Sequence, residues 1–235
     1  MPHSVLLPSV VLWLVGLVTL VTSITLARNN NSLLAPRAAE TLTVASDCSP
    51  EYDLVIPLGP NDLNFIYRIL PSLFQNVVGL RQLYLVSVAP PDLTRCADAW
   101  RHRVTYVPES RYPFGPRDVV DRGIRADRSG WYRQQLYKLY AHEVIPSLSS
   151  HFLVWDADTF LLTPQRFFLP DSCVARFGTH HQYHPDYFRH MAQLPPWLQR
   201  QTNQSGICNF MAFQAGFVRE MMAMVEARHG GTPFW

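Results

Sequence analysis

His151-Phe152-Leu153-Val154-Trp155-Asp156-Ala157-Asp158-Thr159 decides how this chain folds. The first five residues, mostly apolar, predict a buried strand. Asp156 and Asp158 follow at i and i+2, where such a strand leaves the core. In an open α/β sheet, ligands bind outside the carboxyl ends of the strands. The two carboxylates there make a hard, oxygen-rich site of charge about −2, suited to Mg²⁺ or Mn²⁺. A divalent ion so held bridges a diphosphate and neutralises it as it leaves. Without a cation the same pair repels a diphosphate. A bare D-x-D also has a plain reading, a strand ending in a turn with Asp158 capping the next segment.

Just upstream, Gly130-Trp131-Tyr132-Arg133-Gln134-Gln135-Leu136-Tyr137-Lys138-Leu139-Tyr140 predicts a helix that ends near Pro146. Apolar residues at 132, 136, 139 and 140 make its core face. Trp131, Gln134, Gln135 and Lys138 lie partly off that stripe. Gln134 and Lys138 stand one turn apart and can point together at a ligand. Before the helix, residues 111–128 read as a charged loop with five arginines: Arg111, Arg117, Arg122, Arg125 and Arg128. Arginine suits bidentate phosphate contacts, but Asp118, Asp121 and Asp127 partly neutralise the run, so at most one is expected on a phosphate.

Nearer the N-terminus, Tyr52-Asp53-Leu54-Val55-Ile56-Pro57 predicts a first strand and Leu58-Gly59-Pro60-Asn61-Asp62 the turn after it. Asn61 or Asp62 can cap a helix from Leu63 toward Asn76, kinked or interrupted at Pro71. Gln82 to Ser87 and Val104 to Val107 predict two more strands. Strand, helix, strand at this spacing indicates a parallel sheet with right-handed crossovers. The first turn is neither G-x-G-x-x-G nor a P-loop. A nucleotide can still lie across the strand ends with Pro57 to Asp62 beside its base and ribose; an ordinary tight turn is the plainer alternative.

These three blocks, in this order and spacing, resemble a family of GT-A-like glycosyltransferases first grouped as a domain of unknown function, distantly similar to glycogenin-like transferases. Tyr183-His184-Pro185-Asp186-Tyr187-Phe188 fits the same pattern, and the likeness covers residues 51–235. It implies an α/β fold of the GT-A, Rossmann-like, nucleotide-diphospho-sugar transferase type. It also implies a metal-dependent transfer of sugar from a nucleotide-diphosphate donor to an acceptor hydroxyl on a glycan, protein or lipid. Asp156 and Asp158 would hold Mn²⁺ or Mg²⁺ and the diphosphate. Pro57, Leu58 and Asp62 would border the nucleotide, and Gln134 and Lys138 would face the sugar or phosphates. No residue stands out as the catalytic base. Two other readings compete. A phosphatase of the haloacid dehalogenase type also places D-x-D after an apolar strand. That family wants Thr or Val four residues after the first Asp, where Phe160 stands, and a later Asp-Asp or Glu-Asp pair, which is absent. A membrane-tethered relic that binds a nucleotide or glycan without turnover is the non-enzyme alternative.

The chain has 235 residues, 48% of them hydrophobic, enough for one well-buried domain plus accessories. A net charge of +2 is too small for a nucleic-acid surface, so no nucleic-acid partner is expected. Residues 4–27 carry no charge and are rich in Leu and Val. Residues 1–28 therefore read as an uncleaved signal anchor crossing the membrane, with secretion after cleavage near Ala27 as the rival. Residues 29–50 read as a polar stem and 51–235 as the catalytic domain. Asn30-Asn31-Ser32 and Asn203-Gln204-Ser205 are glycosylation sequons. With the four widely spaced cysteines Cys48, Cys96, Cys173 and Cys208, they favour a lumenal domain in the Golgi or endoplasmic reticulum. Disulfides and buried thiols are equally compatible with that spacing.

Residues 173–179 read as a further strand, 206–213 as a late strand and 217–228 as an amphipathic helix. His180 and His184 have the i, i+4 spacing of zinc ligands, but H-E-x-x-H is absent and Pro185 disfavours a helix at His184; a loop on the acceptor side is the better reading. The family pattern implies a His next to Met211, where Asn209-Phe210 stand. GT-A folds take a third metal ligand from well after the D-x-D; His229 is the late candidate, or a plain helix C-terminal residue. The ending resembles a family block that normally continues, so a C-terminally incomplete domain is expected.

Overall fold

The computed structural model describes residues 49, 51–121, 126–169, 173–176, 178, 185, 206 and 208–235. The expected span, nearly all of the stem, both sequons, the His180 to His184 cluster, Arg122 and Arg125 lie outside them. Among the described residues no helix is long and apolar enough to cross a membrane.

The order is β1 (Tyr52–Pro57), α1 (Ile66–Asn76), β2 (Leu80–Ser87), α2 (Asp98–Arg101), β3 (Val104–Pro108), α3 (Pro116–Asp121), α4 (Ser129–Val144), β4 (His151–Trp155), β5 (Phe210–Gln214) and α5 (Ala215–Arg228). The strands form one sheet in the order β3-β2-β1-β4-β5. β1, β2, β3 and β4 pair in parallel, and β5 pairs antiparallel with β4. The mixed α/β architecture is thus as expected and compatible with a Rossmann-like fold. Both faces are covered, so the inner strands read as near-continuous apolar runs. Val55, Val86, Phe152 and Val154 face α4 and α5. Leu54, Ile56, Leu85 and Trp155 face α1 and the segment holding Phe167 and Phe168.

β1 carries a polar interruption. Asp53 is fully buried at the amino end of the sheet. Arg81 Nε and a terminal nitrogen donate to its two oxygens at 2.8 and 2.6 Å, and Ser149 N–H donates at 2.7 Å. A buried carboxylate needs such partners. They tie β1 to β2 and to the segment entering β4.

Several local expectations change. α1 starts at Ile66, because residues 60–65 are taken up by turns in which Phe65 and Ile66 N–H both donate to the Asp62 carbonyl. It runs through Pro71 without a break. The proline deletes one backbone bond, while Ile66, Ile69, Leu70 and Leu73 bury the helix on both sides of it. Residues 111–128 are not one loop: α3 and short 3₁₀ turns occupy much of it, and the Asp118 carboxylate accepts from Gly115 N–H at 2.6 Å. The described part of 173–179 makes a single bridge, Phe168 with Ala175, rather than a strand. Cys173 there has φ 52°, which breaks an extended run. The late strand starts at Phe210, not Gly206.

Candidate active site at the carboxyl edge of β1 and β4

The strand order reverses between β1 and β4, since β2 and β3 lie on one side of β1 and β4 on the other. Such a switch point opens a crevice at the carboxyl ends. Val55 is registered with Val154. Two further steps set Pro57 beside Asp156, so the two sequence blocks meet at one edge.

Below the edge, Trp155 is 1% exposed. Its ring stacks on Phe210 at 5.2 Å and meets Phe167 edge-on at 5.8 Å. Its indole N–H donates to the Thr159 carbonyl at 2.9 Å, satisfying the buried donor and closing the turn. Ala157 folds back into the core, leaving Asp156 part-exposed and Asp158 exposed on either side of it. Asn209 fixes the turn from the side: its carbonyl accepts from Asp156 N–H at 2.8 Å and its amide donates to Thr159 Oγ1 at 2.8 Å. The position beside which the family pattern implies a histidine therefore belongs to the site as Asn209. Sequence reasoning passed over it, because only the β4–β5 pairing brings it there.

Lys138 is only 8% exposed, midway along α4. Its ammonium donates to Asp156 Oδ1 at 2.5 Å. The two candidates, read separately as a sugar or phosphate contact and a metal ligand, are thus bonded to each other. Gln134 lies one turn nearer the helix start, half-buried, with its carbonyl 3.5 Å from the Gln135 amide nitrogen.

The β1 turn is closed by Asp62, whose carboxylate accepts from Gly59 N–H at 2.8 Å. That bond reaches back into the turn; no side chain caps the start of α1. A Cβ at Gly59 would stand 3.1 Å from Asp62 Oδ2, so glycine keeps the turn tight. Leu58 is 3% exposed and its N–H donates to the Val86 carbonyl at 2.7 Å. Its side chain belongs to the core, and only its carbonyl remains for a ligand. Pro57 has no N–H to offer.

Across α4, Tyr137 OH and Arg133 donate to the Glu109 carboxylate at 2.7 and 3.1 Å. Burial, then Glu109, pushes the Tyr137 phenol well above its ordinary range. This cluster anchors α4 to the end of β3 and was not legible in the spacing. His229 caps α5, where its N–H donates to the Val225 and Glu226 carbonyls. Among the described residues no group of three or more His, Cys, Asp or Glu side chains could hold a metal, so His229 does not join the aspartates. Cys96 and Cys208 are free thiols, while Cys173 is disulfide-bonded.

A comparison with curated proteins gives no match. Residues 84–226 match the family of unknown function DUF6492. That stretch is more than half of the chain and holds Lys138, both aspartates and Asn209, and the chain belongs to this family.

Proposed function

We propose that this chain transfers a sugar from a nucleotide-diphosphate donor to an acceptor hydroxyl, at the carboxyl edge of β1 and β4, in a GT-A form of the α/β fold. The observation that carries the reading is the Lys138–Asp156 pair at the switch point, with Asp158 exposed two residues on. Lys138, Asp156 and Asp158 together carry about −1 at pH 7. The two carboxylates are hard oxygen donors of the kind Mn²⁺ or Mg²⁺ takes, with water and phosphate oxygens completing the shell, and the bound ion would neutralise the departing diphosphate. Lys138 orients Asp156 and offers further N–H donors to a phosphate oxygen. Pro57 and the Leu58 carbonyl border the nucleotide, and Asp62 holds that turn in shape. In the transfer, the bond from the anomeric carbon to the β-phosphate oxygen breaks, its electron pair going to that oxygen. The acceptor oxygen bonds to the carbon and its proton passes to solvent water, so the products are the glycoside, the nucleoside diphosphate and one proton.

Turnover of a panel of nucleotide sugars with Mn²⁺, by the full chain and Asp158→Ala, tests this. We expect one donor to be used and its turnover to fall by about a hundredfold or more in the variant. Equal turnover by both proteins removes the assigned role. Activity on a generic phosphate ester, without use of any nucleotide sugar, would replace the transferase with a phosphatase.

We further propose that the domain is lumenal, held by an N-terminal anchor. The disulfide at Cys173 supports an oxidising compartment. Asn30 stands only a few residues past the expected span, too close to the membrane for efficient glycosylation. In secretory cells the wild type should therefore sit in the membrane pellet and lose mass on glycosidase treatment, while Asn203→Gln should sit there without a loss of mass. An unglycosylated protein in the soluble cytosolic fraction would refute the topology.

A further inference from the structure

Lys138 shows where one face of α4 looks. Its side chain reaches Asp156 at the carboxyl edge. Trp131, Gln134, Gln135 and Lys138 stand at i, i+3, i+4 and i+7, so they share that face. α4 ends at Val144, a short connection from the first residue of β4, so it runs back along the sheet and begins at the carboxyl edge. Residues before Lys138 therefore rise above the aspartates. At 1.5 Å per residue, Gln134 stands about 6 Å and Trp131 about 10 Å farther out. Trp131 is 36% exposed and belongs to neither core cluster. Its ring meets the Tyr132 ring edge-on at 5.0 Å, which steadies the indole and leaves part of it open.

We infer that the outer part of this face, Trp131, Gln134 and Gln135, is the acceptor subsite and that the acceptor is a glycan. A pyranose ring offers C–H groups to an aromatic face and a rim of hydroxyls that both donate and accept. The face supplies both matches: one open indole, and beside it two amides, which also donate and accept. Among the described residues, Trp131 is the one exposed large apolar side chain on α4. The nucleotide end of the donor is assigned to the β1 turn and its diphosphate to the aspartates, which leaves the outer end of α4 for the acceptor. The inference rests on the proposed donor site, and the experiment separates the two.

The full chain in detergent is titrated with methyl glycosides of glucose, galactose, mannose and N-acetylglucosamine by saturation-transfer NMR. UDP and GDP with Mn²⁺ are titrated by calorimetry, and a Ser/Thr peptide is run beside them. Trp131→Ala and Trp131→Phe are compared with wild type after melting curves show both folded. We expect at least one glycoside to bind, to weaken about tenfold in Trp131→Ala and less in Trp131→Phe, with UDP and GDP affinities changed by less than about twofold. Failure of every glycoside to bind wild type would overturn the assignment. So would equal glycoside binding by Trp131→Ala, or a matching loss of UDP or GDP affinity, which would make Trp131 a nucleobase contact. Trp131-dependent binding of the peptide alone would make the acceptor a protein. If glycoside binding depends on Trp131 but Asp158→Ala turns over donors like wild type, the donor site fails and the glycan face stands.

Discussion

Lys138 is the residue on which the site turns. A buried ammonium is costly unless a carboxylate faces it, and Asp156 is the partner within reach. Removing one member leaves the other charge poorly compensated. Lys138→Met should destabilise the fold by about 1–3 kcal/mol, below the cost of breaking a fully buried pair because Asp156 keeps 30% of its side-chain surface. Lys138→Met with Asp156→Asn should recover part of that loss. Urea titrations of the two variants measure it; a double variant no more stable than the single would show that the pair is not coupled. The pairing also explains why a spacing rule could name both residues and miss their bond. Helix periodicity says which residues share a face, but not which strand end that face meets.

Among elements, β1 is held at its two ends by different means. At the carboxyl end Gly59 and Asp62 close a tight turn. At the amino end the fully buried Asp53 is clamped by Arg81 and Ser149. Asp53 sits inside a sequence block that also holds ligand candidates, yet it faces away from the site and serves to join β1 to its neighbours. Arg81→Ala should cost about 2–4 kcal/mol by stranding that carboxylate, and Arg81→Lys should restore little, since an ammonium cannot match the two-pronged contact. Denaturant midpoints decide this; an unchanged midpoint for Arg81→Ala would mean water replaces the guanidinium without loss. α4 is anchored in a similar way, with Glu109 receiving Arg133 and the core residue Tyr137.

At the scale of the whole molecule, acid should loosen the fold. Burial pushes His151 below its ordinary pKa, and burial is also the leading cause for His142, whose shift has the same direction. Both therefore resist protonation when folded and accept it when unfolded. The unfolded chain then binds more protons, so stability is full above about pH 6.5 and falls as the pH drops through that unfolded value. Melting temperatures at pH 7.5, 6.5 and 5.5 should decline, and less steeply in His151→Phe. A melting temperature that rises toward pH 5.5 would contradict the sign.

The parallel order of strands and helices, the buried β4 with its emerging aspartates and the helix before it were legible along the chain alone. Each of these is a local pattern of apolar spacing that only one element type can bury. Trp155 and Ala157 likewise sit in the core as an apolar strand and a tight turn require. Tertiary packing was needed to bring Lys138 to Asp156, to set Asn209 as the clamp on the aspartate turn, and to commit the Leu58 side chain to the core. The antiparallel pairing of β5 with β4 and the near-opposition of Pro57 and Asp156 belong there too. These contacts join residues far apart in the chain. They are set by which faces stack once the sheet is assembled, and the spacing of neighbours along a chain carries no record of that.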